Sequence, residues 1–173
     1  MGCQHGPGGA GDPGLTPSET RAHFGAWCIV SAPLTLSHDV HNDSIVDAIW
    51  PLIANKEAIR VNQAYQGHSG SPFAQSERTV VLTEAAGAKT IAVASSQYYY
   101  KPVSATETAV LLMNHDTAAQ DLTLDFSSIP SVTCTKCKVH CIWMHKDIGT
   151  FEGSYTAKAV GGHDAMFFLI TPA

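Results

Sequence analysis

The stretch from Gly14 to Gly70 reads GLTPSETRAHFGAWCIVSAPLTLSHDVHNDSIVDAIWPLIANKEAIRVNQAYQGHSG. Thr16-Pro17-Ser18-Glu19 is a helix start. Thr16 can cap, Pro17 fits the first helical position, and Glu19 completes a capping box. Ala22, Ala26, Ile29 and Val30, with Phe24 and Trp27 beside them, give an apolar stripe at helical spacing. Ala32-Pro33 predicts the end of that helix, because a residue before proline avoids the helical region. Leu34-Thr35-Leu36 is expected as a short strand, and Ser37-His38-Asp39 as the loop that leaves it. Asn42 or Asp43 can cap a second helix that runs through Trp50. Pro51 is expected to break or restart it, and Ile53, Ile59 and Val61 carry the apolar face onward. Helix, strand, helix is the repeat unit of an α/β barrel.

Outward from this stretch the character changes on both sides. Residues 1–13 are rich in Gly and Pro, lack periodicity, and are expected to be a flexible leader. The tract Ala64 to Pro72 is a linker by composition. Beyond it the period becomes that of strands. These are expected at Thr79–Thr83, Thr90–Ala94, Gln97–Lys101, Thr108–Asn114, Asp121–Phe126, Lys138–Met144, Ser154–Ala157 and Ala165–Thr171. Turn signals separate them at Gly87, Asp116, Pro130, Gly149 and Gly161-Gly162. Short strands at this spacing predict an antiparallel β-sandwich. The last one, Ala165-Met166-Phe167-Phe168-Leu169-Ile170, is apolar at every position, so both its faces should be covered. Alternation puts Ala165, Phe167 and Leu169 on one side and Met166, Phe168 and Ile170 on the other.

The order Gly14-Leu15-Thr16, Glu19, His23-Phe24, Trp27, Ser31, Pro33-Leu34, Asp39, Asn55-Lys56-Glu57, Ile59 and Val61-Asn62-Gln63 resembles one family in particular. It is the α-galactosidase/α-N-acetylgalactosaminidase (melibiase) family of retaining glycoside hydrolases. In that family this pattern closes the catalytic (β/α)8 TIM barrel, and an antiparallel β-domain follows. The ending from Trp143 to Pro172, WMHKDIGTFEGSYTA…GHDAMFFLITP, is similar to that domain's ending. The resemblance thus implies residues 14–63 as the C-terminal fragment of the barrel, 64–72 as linker and 73–173 as the sandwich. It covers nearly everything after residue 13. Where the family has a barrel strand ending in an Asp-Met pair, this chain has Gly-rich sequence, as expected of a truncated start.

The retaining mechanism needs two carboxyls about 5–5.5 Å apart. The resemblance places both on earlier barrel strands, the nucleophile within a Tyr-Asp-x-Cys segment that this sequence does not contain. No catalytic residue is therefore assigned. Ser37, His38 and Asp39 fall at the C-terminal end of a barrel strand, where active sites of this fold lie, and are the candidates for lining the sugar pocket. The competing reading is that Asp39 caps the following helix, the commoner use of a loop aspartate. Ser-His-Asp in sequence is not a triad, since triads are assembled in space. Tyr98-Tyr99-Tyr100 offers rings for stacking a sugar, but on a strand alternate rings face opposite sides and at least one belongs to the core.

The run Cys134-Thr135-Lys136-Cys137-Lys138-Val139-His140-Cys141 suggests a metal knot. It lacks the distant second pair of a convincing zinc site, and His140 and Cys141, as strand neighbours, point to opposite faces. A disulfide, Cys134–Cys137 or Cys134–Cys141, or plain thiols, is expected instead, with no metal and no cofactor. His23 and His145 fall on positions of the family pattern and are expected to be structural. Asn42-Asp43-Ser44 is a glycosylation sequon, which matters if the chain is secreted.

The composition is globular: 45% hydrophobic and 14% charged residues, in 173. A net charge of −5 without a basic cluster argues against nucleic acid as a partner. No apolar run approaches the roughly 18 residues of a membrane span, so no membrane is expected. MGCQHGPGGAGDPG has no apolar core and does not read as a signal peptide. The resemblance implies a secreted, lysosomal or vacuolar protein, and leaves this chain's compartment open. The expected function is that of part of an enzyme whose whole hydrolyses terminal α-linked galactose, the chain alone being inactive. The alternative is a stand-alone, non-catalytic β-sandwich that binds carbohydrate or a protein partner.

Overall fold

The computed structural model describes residues 14–36, 41–83 and 89–173. Among these, three helices precede ten strands: α1 (Pro17–Ile29), α2 (Asp43–Ile53), α3 (Lys56–Gln63), β1 (Ser71–Gln75), β2 (Thr79–Thr83), β3 (Thr90–Ala94), β4 (Ser96–Pro102), β5 (Thr108–Asn114), β6 (Gln120–Asp125), β7 (Lys136–Cys141), β8 (Lys146–Glu152), β9 (Ser154–Val160) and β10 (Ala165–Pro172). Six strands form one antiparallel sheet in the order β1-β4-β5-β10-β7-β8. The β6–β9 pair supplies a second layer, and β2–β3 is a separate hairpin.

The middle of the large sheet explains the architecture. β5 and β10 pair from Ala165↔Met113 to Ile170↔Thr108, and every residue from Thr108 to Leu112 is buried. Alternation sends their side chains into two cores. Ala109, Leu111, Ala165, Phe167 and Leu169 pack with Phe24, Cys28 and Ile29 of α1 and Ala58 and Val61 of α3. Val110, Leu112, Phe168 and Ile170 pack with Leu122, Leu124, Ala157 and Val160 of the β6–β9 layer, with Met166 at its margin. The layers run helices, sheet, sheet, and both faces of the terminal strand are covered, as its unbroken apolar run predicts.

The helical unit begins as expected. Thr16 accepts from the Glu19 amide at 3.2 Å, and Glu19 accepts from the Thr16 amide at 2.8 Å, closing the capping box around Pro17. Bonds to the backbone and side chain of Thr16 hold the Glu19 carboxyl below its usual range. α1 ends at Ile29, three residues before Ala32-Pro33, because Ser31 turns into the left-handed region (φ 58°).

Other elements differ from expectation. Leu34–Leu36 belongs to no strand. A barrel strand needs parallel neighbours, and among the described residues none lies beside it. Pro51 does not break α2, which runs on to Ile53; the ring removes a single backbone donor close to the C-terminal end, where little helix remains to disrupt. The tract read as linker runs into β1 at Ser71, and Pro72 is tolerated because β1 is an edge strand. Gly70 there is a close-approach glycine: its amide donates to the Ile29 carbonyl at 3.0 Å, and a Cβ would sit 2.1 Å from that oxygen. Lys146–Glu152, with Gly149 taken as a turn, is strand β8; the glycine takes up φ 146° within it.

Because Phe167 and Phe168 fill different cores, truncating either should be severe. Phe167→Ala and Phe168→Ala are each expected to cost about 3–5 kcal/mol of unfolding free energy. Urea unfolding of the full chain checks both. A neutral Phe167→Ala would mean that the helices do not load the sheet.

Candidate functional site

The described residues of Asn55-Lys56-Glu57 and Val61-Asn62-Gln63 build a joint between the helices and the sandwich. Asn55 is buried and caps α3: its Oδ1 accepts from the amides of Glu57 and Ala58, both at 3.0 Å. Its Nδ2 donates across the layers to the Ile142 carbonyl at 3.0 Å. One amide side chain thus fixes where α3 starts and where it meets the end of β7. Asn62 works at the other end, donating to the Trp27 carbonyl at 3.1 Å and the Ala32 carbonyl at 2.9 Å.

Glu57 lies in the first turn of α3, where helix polarity favours a carboxylate. Its Oε2 is 3.0 Å from Nε2 of His140 on β7, and its Oε1 is 3.2 Å from Nδ1 of His145 in the β7–β8 turn. The other ring nitrogen of His140, Nδ1, is 2.6 Å from Asp147 Oδ1. Burial alone disfavours the His140 imidazolium. The hydrogen bonds and charges of Asp147 and Glu57 outweigh it, and the net shift of its pKa is upward.

Lys101 of β4 is fully buried among the helices. Its Nζ donates to Ser31 Oγ at 2.6 Å, to the Asn62 carbonyl at 2.9 Å and to the Val61 carbonyl. Two carbonyls at the C-terminal end of α3 and the Ser31 hydroxyl just after α1 take the place of a carboxylate partner. Burial pushes the lysine pKa down and that of the neighbouring Cys28 thiol up to about 12, so Cys28 is an inert core thiol. Two ion pairs add to the joint: Arg21 Nε reaches the buried Asp164 Oδ1 at 2.8 Å, and, at the surface, Arg60 Nη2 reaches Glu107 Oε1 at 2.9 Å.

Ser37, His38 and Asp39 lie outside the described residues. Asn42 caps α2 and is exposed, its Oδ1 accepting from Ser44 Oγ at 2.6 Å and the Ile45 amide at 3.3 Å. Cys134 and Cys137 are joined as a disulfide, and Cys141 is a buried thiol four residues along β7. The three tyrosines divide between the cores, Tyr99 on the helical side and Tyr98 and Tyr100 on the other. His23 stacks edge-on against Trp27. It lines an apolar groove of about 380 Å³ with Leu15, Ala22, Leu82, Met113 and His115. Among the described residues no helix is long and apolar enough to cross a membrane.

Lys101, and the roles of Glu57 and His140, were missed by sequence reasoning. The one available signal was that Glu57 and His145 both fall on positions of the family pattern.

An antiparallel sandwich with helices welded to its outer face defines the class. Residues 93–170 match the family model described as the alpha galactosidase C-terminal beta sandwich domain. The chain is similar to α-galactosidases over nearly all of its length. Alpha-galactosidase 3 of Arabidopsis thaliana is 29% identical over 96% of this chain and 36% of its own length. An alpha-galactosidase of Coffea arabica is 27% identical over 94% of this chain and 38% of its own. The chain therefore spans little more than a third of these relatives. Among solved structures, alpha-galactosidase I from Mortierella vinacea shares the fold with a TM-score of 0.74 at 22% identity, covering 95% of this chain and 39% of that one.

The cap and the cross-layer bond of Asn55 can be separated. Asn55→Ala should cost about 2–4 kcal/mol, the sum of a lost cap and a buried carbonyl left without its donor. Asn55→Ser keeps an acceptor for the cap without the donor to Ile142, and should recover part of that loss. Chemical denaturation of the three chains checks it, and equal losses for both variants would contradict the double role.

Proposed function

We propose that this chain is the C-terminal part of an α-galactosidase-type glycoside hydrolase, whose whole hydrolyses terminal α-linked galactose with retained configuration. Residues 14–63 are the closing part of its barrel, after a leader of 1–13. Residues 64–72 are the connection, and 73–173 are a sandwich that buttresses the barrel from outside. One observation carries the reading. The segments that match the family's barrel-closing pattern are those that lock onto the sandwich, through Phe24 against the Trp143–Phe167 pair, through Asn55 and Glu57, and through the Asn62 carbonyl that accepts from Lys101. Exposed apolar side chains in the helical segment support it too. Trp50 of α2 is 58% exposed, and Leu15, Val30 and Leu36 are exposed as well, as expected of barrel elements that pack on further barrel elements.

In this reading the chain positions and does not react. Lys101 and Asn62 tie down Ser31 and Ala32, the two residues before Pro33, from which the chain leads to Ser37, His38 and Asp39 at the mouth of the barrel. Those three line the sugar pocket, or Asp39 caps the helix that follows. The two carboxyls that exchange the glycosidic bond belong to other strands of the barrel.

The assay is release of nitrophenol from an aryl α-galactoside. The 173-residue chain by itself is expected to give none above a heat-killed control. Turnover that survives Asp39→Asn would overturn the placement of the chemistry elsewhere. Turnover abolished by that change would make Asp39 catalytic.

A further inference from the structure

His140 has a carboxylate oxygen at each ring nitrogen: Asp147 Oδ1 at 2.6 Å and Glu57 Oε2 at 3.0 Å. A neutral imidazole has one N–H, so one of these contacts must set a lone pair against a carboxylate. Only the imidazolium donates at both. The second oxygen of Glu57 meets His145, so a single carboxylate on α3 faces two imidazoles from the β7–β8 corner. We propose that Glu57, His140 and His145 form a proton-operated clamp between the helical unit and the sandwich, closed when His140 carries its charge and slack when it does not.

The surroundings favour the same assignment. From α3, Glu57 and Arg60 face His140; from the loop after β4, Glu107; from β7, Lys138 and, on the opposite face, the Cys141 thiol; from β8, Asp147; from the turn between them, His145. β10 presents only Leu169 and Thr171. Arg60 bonds Glu107 and acts on Glu57 through its charge, without a hydrogen bond to it. Asp147 makes the shorter bond but is 89% exposed and screened by solvent; Glu57, at 31%, is the partner that joins the layers.

The sign follows from linkage. The folded pKa of His140 lies above its ordinary 6.5. Its contribution to stability is therefore fully present below that value and is lost as pH rises through the folded pKa. His23 and His115 act oppositely: burial holds their pKa below 6.5, so their contribution is present above 6.5 and is lost as pH falls through their folded values. Only the alkaline limb belongs to the clamp.

The test uses the full chain. The imidazole carbon-bound proton of His140, followed by NMR, should titrate above about 6.5, and Glu57→Gln should move its midpoint down. The urea midpoint of the wild type should fall between about pH 6 and about pH 9, and at least about half of that fall should vanish in His140→Gln and in Glu57→Gln. The double variant should lose no more than either single one. Titration of His140 at or below 6.5 in the wild type overturns the clamp, and needs no variant to fold. So does an alkaline limb of unchanged depth in both variants.

Discussion

Strands β5 and β10 have no face toward water, and the rest of the molecule follows from that. Successive residues of a strand point to opposite sides, so a strand apolar at every position needs two covers. The β6–β9 pair supplies one and α1 with α3 the other. Remove the helices, and Leu111, Phe167 and Leu169 become a wet apolar stripe in the middle of the largest sheet. The helical unit is therefore one wall of the sheet's own core, and its stability cannot be set apart from that of the strands.

Apolar burial sets the distance between helices and sheet but leaves their rotation free, because it is non-directional. The polar groups supply the direction. Asn55 pins the start of α3 to the Ile142 carbonyl, Lys101 gathers the carbonyls at its end, and Asn62 ties that end back to α1. These bonds lie at the two ends of one short helix of eight residues, where orphan backbone groups exist to be used. A helix held at both termini and along one apolar side has no remaining rigid-body freedom. This gives Asn55 and Asn62, on either side of Ile59 and Val61, a structural role at the two ends of α3.

Legibility in the sequence tracked whether a signal was local. The capping box at Thr16, the alternation in Thr108–Asn114 and the apolar run at Ala165–Ile170 each state their structure within a few residues. β1 and β8 were hidden by Gly, Ser and Pro, whose turn preference is real but was overridden by pairing with β4 and β7. Leu34–Leu36 failed for the converse reason: its pattern is that of a strand, but a strand exists only with neighbours. Lys101 was invisible, because a lysine in a strand ordinarily points to water. Only the tertiary fold brings three oxygens from residues forty and seventy positions away to its ammonium. The clamp at His140 is likewise an event of three elements, and no window of sequence contains it.

The same reasoning separates α2 from its neighbours. α1 and α3 each give several residues to the helical core, whereas Ile45 is the one buried residue of α2. Its N-terminus is capped by Asn42, but no bond of the kind made by Asn55 or Lys101 reaches it from the sheet among those described. Eleven residues are too few for a helix to persist in water on propensity alone, and Pro51 adds nothing to it. Trp50, late in this helix, stays exposed. α3 seats Ala58 and Val61 in the core it shares with the sandwich, whereas α2 reaches that core only at its margin, through Leu52 and Ile53, just before Ala54 and the cap that opens the joint.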